Sequence, residues 1–145
     1  MSPRDNEPDP DQVAVIPVRA TGPDVEVCLI RRIGRRHWGI PKGFIDEGKT
    51  AVDAALTEAR EEAGLLGRIV GDAIGTYEYE KWGDRLVVAV YVMRVVDVLP
   101  VWDEMDARER RWTTVADAED LLQRHPVLPV WESVSADLSK ISGRR

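Results

Sequence analysis

The chain is poor in cysteine and has no long hydrophobic run, and each shortage limits what the protein can be. Cys28 is the single cysteine among 145 residues, so no internal disulfide can form, which suits a reducing cytoplasm. Because Cys28 lies in an apolar run, a buried structural thiol is expected there rather than a nucleophile. The longest apolar run, residues 86–93, is much shorter than the roughly 20 residues that a membrane-spanning helix requires, so no membrane partner is predicted.

The chain also has no excess of basic residues. Its formal net charge of −6 argues against general binding of nucleic acid polymers through a basic surface. Residues 1–12 are rich in aspartate and proline and have neither the basic start nor the apolar core of a signal peptide, so we expect a disordered lead-in. A length of 145 residues suits one domain, which is expected at residues 13–142. The expected location is the cytoplasm, and the oligomeric state is left open.

Charge is unevenly distributed along the chain. The segment between residues 31 and 42 contains no acid, whereas the next twenty residues are strongly acidic. The cations of the first segment are Arg31, Arg32, Arg35, Arg36 and Lys42. A basic segment next to an acidic one suits a phosphate–metal complex, because cations bind phosphate oxygens and carboxylates bind the metal.

The acidic segment carries clear helix signals. Thr50 is a suitable N-cap, with Asp53 three residues later as the acid of a capping box. Gly64 suits the helix end, because glycine adopts a positive φ at little cost. The buried stripe is predicted from apolar residues at helical spacing, namely Val52, Ala55, Leu56, Ala59 and Ala63.

Glu58, Glu61 and Glu62 are neighbours on this helix, because residues three or four apart share one side. No basic residue lies three or four positions from Glu58, and Arg60 is expected to point to a different side. One interpretation is a solvated acidic face. The flanking Gly43 and Gly64 and the missing counter-charges favour a second interpretation, a site for a hard divalent cation such as Mg²⁺, with Mn²⁺ as an alternative.

Strand and helix signals are mixed along the rest of the chain. The predicted strands are residues 13–18, 25–30, 68–79, 86–96 and 110–115, and the further predicted helices are residues 117–124 and 130–141. A bulge is expected at Gly71 or Gly75, and a hairpin turn at Gly83 and Asp84. Because strands and helices do not alternate strictly, we expect a mixed sheet covered by helices.

Residues 43–65 resemble the Nudix box, G-x5-E-x7-R-E-U-x-E-E-x-G-U, where U is aliphatic. The matching positions are Gly43, Glu58, Ala59, Glu61, Glu62, Gly64 and Leu65. The preceding residues 38–43 also resemble the lead-in of many Nudix proteins. Two positions depart from the pattern: Lys49 stands where the box has its first glutamate, and Thr57 stands where it has an arginine that orients a box glutamate.

The resemblance implies a Nudix-type α/β/α sandwich with a mixed β-sheet flanked by helices. It also implies Mg²⁺-dependent hydrolysis of a phosphoanhydride linkage. Residues 98–112 and 121–126 are similar to the diphosphoinositol polyphosphate and dinucleoside polyphosphate hydrolases, so the substrate is expected to be a small molecule of one of these kinds. The departures at Lys49 and Thr57 keep an alternative open, a catalytically weak or inactive module that binds a phosphorylated ligand or a protein partner.

The resemblance also implies roles for individual residues. Glu58, Glu61 and Glu62 would bind the metal, with a backbone carbonyl near Gly43 completing its shell. Glu61 is the predicted general base, with Glu58 as the second catalytic residue. The predicted phosphate-binding residues are Arg31, Arg32, Arg36, Lys42 and Arg108.

Overall fold

The computed structural model describes residues 9–142, which form one six-stranded sheet with helices on both faces. The strands are β1 (Gln12–Thr21), β2 (Asp24–Arg32), β3 (Lys42–Phe44), β4 (Leu65–Lys81), β5 (Asp84–Val98) and β6 (Arg108–Thr113). The helices are α1 (Ala51–Ala63), α2 (Val115–Leu121), α3 (Leu128–Val134) and α4 (Leu138–Ser142), with a 3₁₀ turn at Ser135–Asp137 before α4. None of the helices in this part of the chain is long and apolar enough to cross a membrane.

The sheet is mixed, as the sequence predicted. Its strand order is β4-β5-β1-β2-β6, and β3 pairs with the start of β1. β1 runs parallel to β5, whereas the other pairings are antiparallel. Because β1 is the central strand, the pairing of β3 with its first residues places the segment that leads into α1 at the middle of the sheet.

Both faces of the sheet are covered, which confirms the expected sandwich. In β1, Val13 and Val15 pack toward α1, and Ile16 packs toward α2, α3 and α4. This alternation follows from the two-residue period of a strand. In β2, Cys28 lies on the α1 face and is fully buried, so the structural thiol predicted from its apolar surroundings is confirmed. Burial raises the pKa of this thiol to about 12, which keeps it protonated and unreactive.

Several boundaries differ from the sequence-based prediction. Residues 1–8 of the predicted lead-in lie outside the described residues, but Gln12 already belongs to β1, and the Asp11 carboxylate accepts a hydrogen bond from the Val87 N–H at 2.8 Å. β6 ends at Thr113, because Thr114 caps α2 by accepting a hydrogen bond from the Asp117 N–H. The single terminal helix predicted at residues 130–141 is wrong: the 3₁₀ turn interrupts it at serine and aspartate, which are weak helix formers.

The predicted irregularity in β4 is confirmed. The register with β5 shifts between Val70 and Gly75, and Gly71 has a φ of 69°. The hairpin to β5 turns at Trp82 and Gly83, which both have positive φ, as a two-residue turn of type I′ requires. The turn therefore lies one residue earlier than predicted, and Asp84 opens β5.

Candidate active site

Helix α1 carries the predicted acidic residues and has the predicted ends. The Thr50 hydroxyl accepts a hydrogen bond from the Asp53 N–H at 3.0 Å, so Thr50 is the N-cap. Gly64 has a φ of 66° and closes the helix, and its N–H donates to the Arg60 carbonyl at 3.0 Å. The helix start and stop are therefore decided by local residues, as expected.

The connection between β5 and β6 docks on the C-terminal end of α1. The last carbonyls of a helix lack partners within the helix. Here the Glu61 carbonyl accepts from the Glu104 N–H at 3.0 Å, and the Glu62 carbonyl accepts from Trp102 Nε1 at 3.1 Å. The next carbonyl, that of Ala63, accepts from Arg110 Nη1 at 2.8 Å. These bonds bring Glu104 and Arg108 beside the acidic residues of the helix.

Glu62 is a buried carboxylate with both oxygens bonded. Its Oε1 accepts from the Lys42 N–H at 3.0 Å and its Oε2 accepts from Arg108 Nη2 at 3.1 Å. The residue is 7% exposed, and burial is the main reason why its pKa is raised, with the Lys42 N–H and Arg108 acting in the opposite direction. The positive partner that α1 itself lacks is thus Arg108, the first residue of β6.

Glu58 lies against the backbone of Gly43. A Cβ atom added at Gly43 would be 2.2 Å from Glu58 Cδ, so glycine leaves the space that the carboxylate fills. Burial and, to a smaller extent, repulsion from the nearby acids Glu62 and Glu61 together raise the pKa of Glu58 to about 7. A carboxyl with this pKa exchanges its proton near neutral pH, which is the property that a general base needs.

Glu61 is more exposed than its two neighbours. Arg60 lines a groove on a different side of α1, as predicted, but its Nη2 lies 3.8 Å from Glu61 Oε2. The arginine side chain is long enough to turn back toward the adjacent residue. Glu61 therefore has a partly exposed ion pair, and it is not among the residues that line the cleft described next.

A cleft of about 520 Å³ opens beside Glu58 and Glu62, between the start of β1, the end of β2, β3 and α1. It brings cations and carboxylates into one concave site. The cations that line it are Arg32, Lys42, Lys81 and Arg108, the acids are Asp46, Glu58 and Glu62, and the remaining lining residues are Gln12, Ile40, Gly43 and Phe44. Charges of both signs allow the cleft to bind an anionic ligand together with a cation.

Arg31 and Arg36, two of the predicted phosphate-binding residues, do not line this cleft. Arg31 Nε donates to Glu109 Oε2 at 2.6 Å, and the guanidinium lies 4.5 Å from the centre of the Trp38 ring. Successive strand residues point to opposite faces, so Arg32 faces the cleft and Arg31 does not. Arg36 lies at a separate groove with His37 and Trp38.

The two departures from the box pattern lie together on another side of α1. Lys49 and Thr57 line a groove of about 320 Å³ with Arg60 and the beginning of β4. Neither residue lines the cleft that contains Glu58 and Glu62. The departures therefore alter a groove beside the cleft, while the cleft keeps Glu58, Glu62 and Gly43.

Sequence reasoning missed several polar residues of the cleft. Gln12 Oε1 accepts from the Tyr79 hydroxyl at 2.6 Å, and Lys42 Nζ lies 4.0 Å from the centre of the Tyr79 ring. Lys81 joins the cleft from the end of β4. The β1–β3 pairing brings Gln12 to the cleft, and the β1–β5 and β4–β5 pairings bring in Tyr79 and Lys81, so no local pattern in the sequence indicates them.

The donor set of the cleft fits a hard divalent cation. In the described part of the chain, no three acidic, histidine or cysteine side chains are grouped as a metal-binding cluster. Glu58 and Glu62 nevertheless both face the cleft, and their oxygens are of the type that Mg²⁺ and Mn²⁺ prefer. The carboxylates also raise the pKa of Glu58, a repulsion that a bound cation would relieve.

The sequence model of the NUDIX domain family matches residues 9–131, so the chain belongs to the Nudix family. It is 30% identical over 107 residues to Nudix hydrolase 13, mitochondrial, of Arabidopsis thaliana, and the aligned region covers 67% of this chain and 53% of that protein. It is 33% identical over 91 residues to diphosphoinositol polyphosphate phosphohydrolase 2 of Homo sapiens, and this aligned region covers 61% of this chain and 49% of that protein. The chain thus spans about half the length of these two curated relatives.

A solved structure with the same fold is the C. elegans Ap4A hydrolase in its binary complex. The TM-score is 0.74 and the identity 23%, over 89% of this chain and 97% of that chain. The resemblance that residues 43–65 indicated is therefore confirmed at the level of family and fold. The two groups of hydrolases expected from the sequence are both represented among these relatives.

Proposed function

We propose that this chain is a divalent-cation-dependent hydrolase that cleaves a phosphoanhydride bond in a polyphosphorylated small molecule. The observation that carries the proposal is the cleft in which Glu58 and Glu62 face the cations Arg32, Lys42 and Lys81. Membership of a family whose hydrolases generally use divalent metal ions, typically Mg²⁺, supports the same conclusion.

The cations of the cleft would bind and orient the polyphosphate. Arg32, Lys42 and Lys81 approach from three different strands, so their charges can engage several phosphate oxygens at once. A divalent cation, when bound, neutralises phosphate charge and lowers the pKa of the attacking water. Glu58 and Glu62 would hold that cation, and the Gly43 backbone would stay close to it because no side chain intervenes.

Glu58 and Glu61 are both candidates for the general base. Glu61 was favoured from the family resemblance, whereas Glu58 faces the cleft and has a pKa raised to about 7 by burial and neighbouring acids. A base that gains a proton near neutral pH serves proton transfer best. Comparing the pH dependence of kcat in Glu58→Gln and Glu61→Gln, together with the Mg²⁺ concentration each needs, assigns the role. Loss of the base abolishes the rise of kcat with pH, whereas loss of a metal ligand raises the Mg²⁺ requirement.

A panel assay with product identification tests the function. We expect phosphate or nucleotide release from a diphosphoinositol polyphosphate, a dinucleoside polyphosphate or both, because those substrates occur in the names of relatives. Release should require Mg²⁺ or Mn²⁺ and disappear in Glu58→Gln/Glu62→Gln. Binding of these compounds without turnover at any metal would instead identify a non-catalytic module that binds phosphorylated ligands.

The cytoplasmic location remains a prediction from the single cysteine. Two relatives carry a mitochondrial and a chloroplastic designation in their names, so the compartment is a separate question from the fold. Fractionation of the source cells with an antibody to this chain tests it. Recovery in an organelle fraction would contradict the prediction.

A further inference from the structure

The Arg108 side chain lies between two carboxylates. Its Nη2 donates to Glu62 Oε2 at 3.1 Å and its Nε donates to Glu104 Oε1 at 2.7 Å. Different nitrogens make the two bonds, so both can exist at the same time. The Arg108 side chain is 16% exposed and the Glu62 side chain 9%, so this pair is far less hydrated than an ordinary surface ion pair.

These contacts engage the carboxylate that the proposed function assigns to the cation. Glu62 Oε1 accepts from the Lys42 N–H at 3.0 Å, so both of its oxygens already have donors. A buried carboxylate without a positive partner is strongly disfavoured, and the guanidinium supplies that partner here. A divalent cation that binds Glu62 Oε2 would therefore compete with Arg108 there, since two positive charges would share one oxygen.

We infer that Arg108 is a resident counter-ion, a positioning residue that holds Glu62 and Glu104 together before a divalent cation binds and then gives up Glu62 to the cation. The inference rests on the proposed function, since it assumes that the cation binds at Glu62. It goes beyond the phosphate-binding role predicted for Arg108, because it gives the side chain a function in the absence of substrate.

The surroundings of Arg108 allow such an exchange. Its backbone N–H donates to the Glu104 carbonyl at 3.0 Å, so the main chain stays anchored when the side chain moves. Arg108 also lines the cleft together with Arg32 and Lys42. A guanidinium released from Glu62 would remain in a cleft suited to phosphate, which it can bind through two parallel hydrogen bonds. The resting role and the phosphate-binding role would then be successive states of one side chain.

The test is Mn²⁺ binding without substrate, measured by electron paramagnetic resonance of free Mn²⁺. We expect Arg108→Gln to bind Mn²⁺ roughly tenfold more tightly than the unchanged protein, because a competing charge a few ångströms from the ion is removed. The matched control is Arg19→Gln. Arg19 also donates through Nε and Nη2 to a glutamate, Glu26, but does not line the cleft, so its loss should leave Mn²⁺ affinity unchanged.

A second readout is thermal stability. Arg108→Gln should lower Tm in the presence of a chelator, since Glu62 and Glu104 lose their shared partner, and saturating Mn²⁺ should raise Tm more than in the unchanged protein. Arg108→Lys keeps the charge but not the two-armed geometry, so it should fold even where Arg108→Gln does not and bind Mn²⁺ with intermediate affinity.

The two possible failures can be told apart. Equal or weaker Mn²⁺ binding by both Arg108 variants, while the unchanged protein binds Mn²⁺ and Glu62→Gln does not, would overturn the counter-ion role alone. An unchanged protein that binds no Mn²⁺ at any tested concentration would overturn the cation dependence in the proposed function, and the inference with it.

Discussion

Gly43 and Glu58 share a contact that leaves no room for a further atom. The added Cβ at Gly43 would meet Glu58 Cδ at 2.2 Å and Glu58 Oε2 at 2.4 Å. The φ of Gly43 is not positive, so the need for glycine comes from this close approach and not from the backbone conformation. The family resemblance implied that a backbone carbonyl near Gly43 completes the metal shell, whereas the structure places the Glu58 carboxylate against this glycine.

Gly43→Ala tests this contact. We expect the variant to fold, because the end of a flexible glutamate side chain can move, but to lose most of its Mn²⁺ affinity and activity as Glu58 leaves its position. Mn²⁺ titration and kcat measure the effect. Thr57→Ala is the control, because Thr57 precedes Glu58 but lines the other groove. Undiminished Mn²⁺ affinity in Gly43→Ala would contradict the assigned role of the contact.

The raised pKa of Glu58 has a consequence for stability. Its pKa is 4.5 in the reference state and about 7 in the folded protein, so the folded state binds more protons between these values. The stabilising contribution of protonated Glu58 is therefore complete below pH 4.5 and is lost as the pH rises through about 7.

Urea unfolding in the presence of a chelator at pH 5 and pH 8.5 tests this effect. Glu58 should lower the free energy of unfolding by on the order of 1 kcal/mol between the two pH values, after allowance for solvent screening of a half-buried carboxyl. Glu58→Gln cannot ionise and should not show that loss. An equal change with pH in both proteins would show that Glu58 is not the group responsible.

At the scale of elements, the end of α1 is completed by the connection between β5 and β6. Trp102 Nε1 and the Glu104 N–H donate to consecutive carbonyls of the helix, and the Leu99 N–H donates to the Gly64 carbonyl at 2.8 Å. The Arg110 guanidinium lies 4.0 Å from the centre of the Trp102 ring and so supports the same arrangement. The position of Arg108 beside Glu62 depends on this docking.

Trp102→Phe removes one of these donors and leaves the Glu62 carbonyl without its partner. We expect a loss of about 1–3 kcal/mol in the free energy of unfolding, measured with urea. Trp82→Phe is the matched control, because Trp82 is 79% exposed in the hairpin turn and should change stability by less than about 0.5 kcal/mol. Equal effects of the two substitutions would contradict the proposed importance of the docking bond.

The ends of α1 were predictable because their causes are local. Thr50 and Asp53 are three residues apart, and Gly64 follows the last helical residue, so the capping groups are visible in the sequence. The partner of Glu62 was not predictable as such, because Arg108 lies 46 residues away and reaches it only after the connection has docked. The counter-charge expected to be missing is therefore present.

At the scale of the whole molecule, the sheet is buried on both faces. Ile16 belongs to the core under α2, α3 and α4, whereas Met93 belongs to the core under α1. Both side chains are fully buried, although they lie on adjacent paired strands. The sheet that carries the cleft is thus held by two cores, so a cavity in either core should also disturb the cleft.

Ile16→Ala and Met93→Ala should each lower the free energy of unfolding by about 2–5 kcal/mol, because each leaves a cavity in a different core. Val96→Ala should change it by less than about 0.5 kcal/mol, since Val96 is 69% exposed on the same strand as Met93. Chemical unfolding of the three variants provides the comparison. A sheet covered on one face would instead tolerate one of the two core substitutions.

The sequence by itself determined five of the six strands apart from their exact bounds, the helix α1 with its caps, and the family to which the chain belongs. These features depend on residues that are close in the chain: continuous apolar runs in β1 and β5, Thr50 and Gly64 at the helix ends, and the spacing of Glu58, Glu61 and Glu62. Short-range geometry links each such pattern to a local structure.

Only the tertiary structure decided which side chains share the cleft. The two-residue period of β2 turns Arg32 toward the cleft and Arg31 away from it, and the pairing of β4 with β5 brings in Lys81. The docking of the β5–β6 connection on α1 gives Glu62 its partner in Arg108. These outcomes depend on strand register and on contacts between residues far apart in the chain, which no local pattern contains.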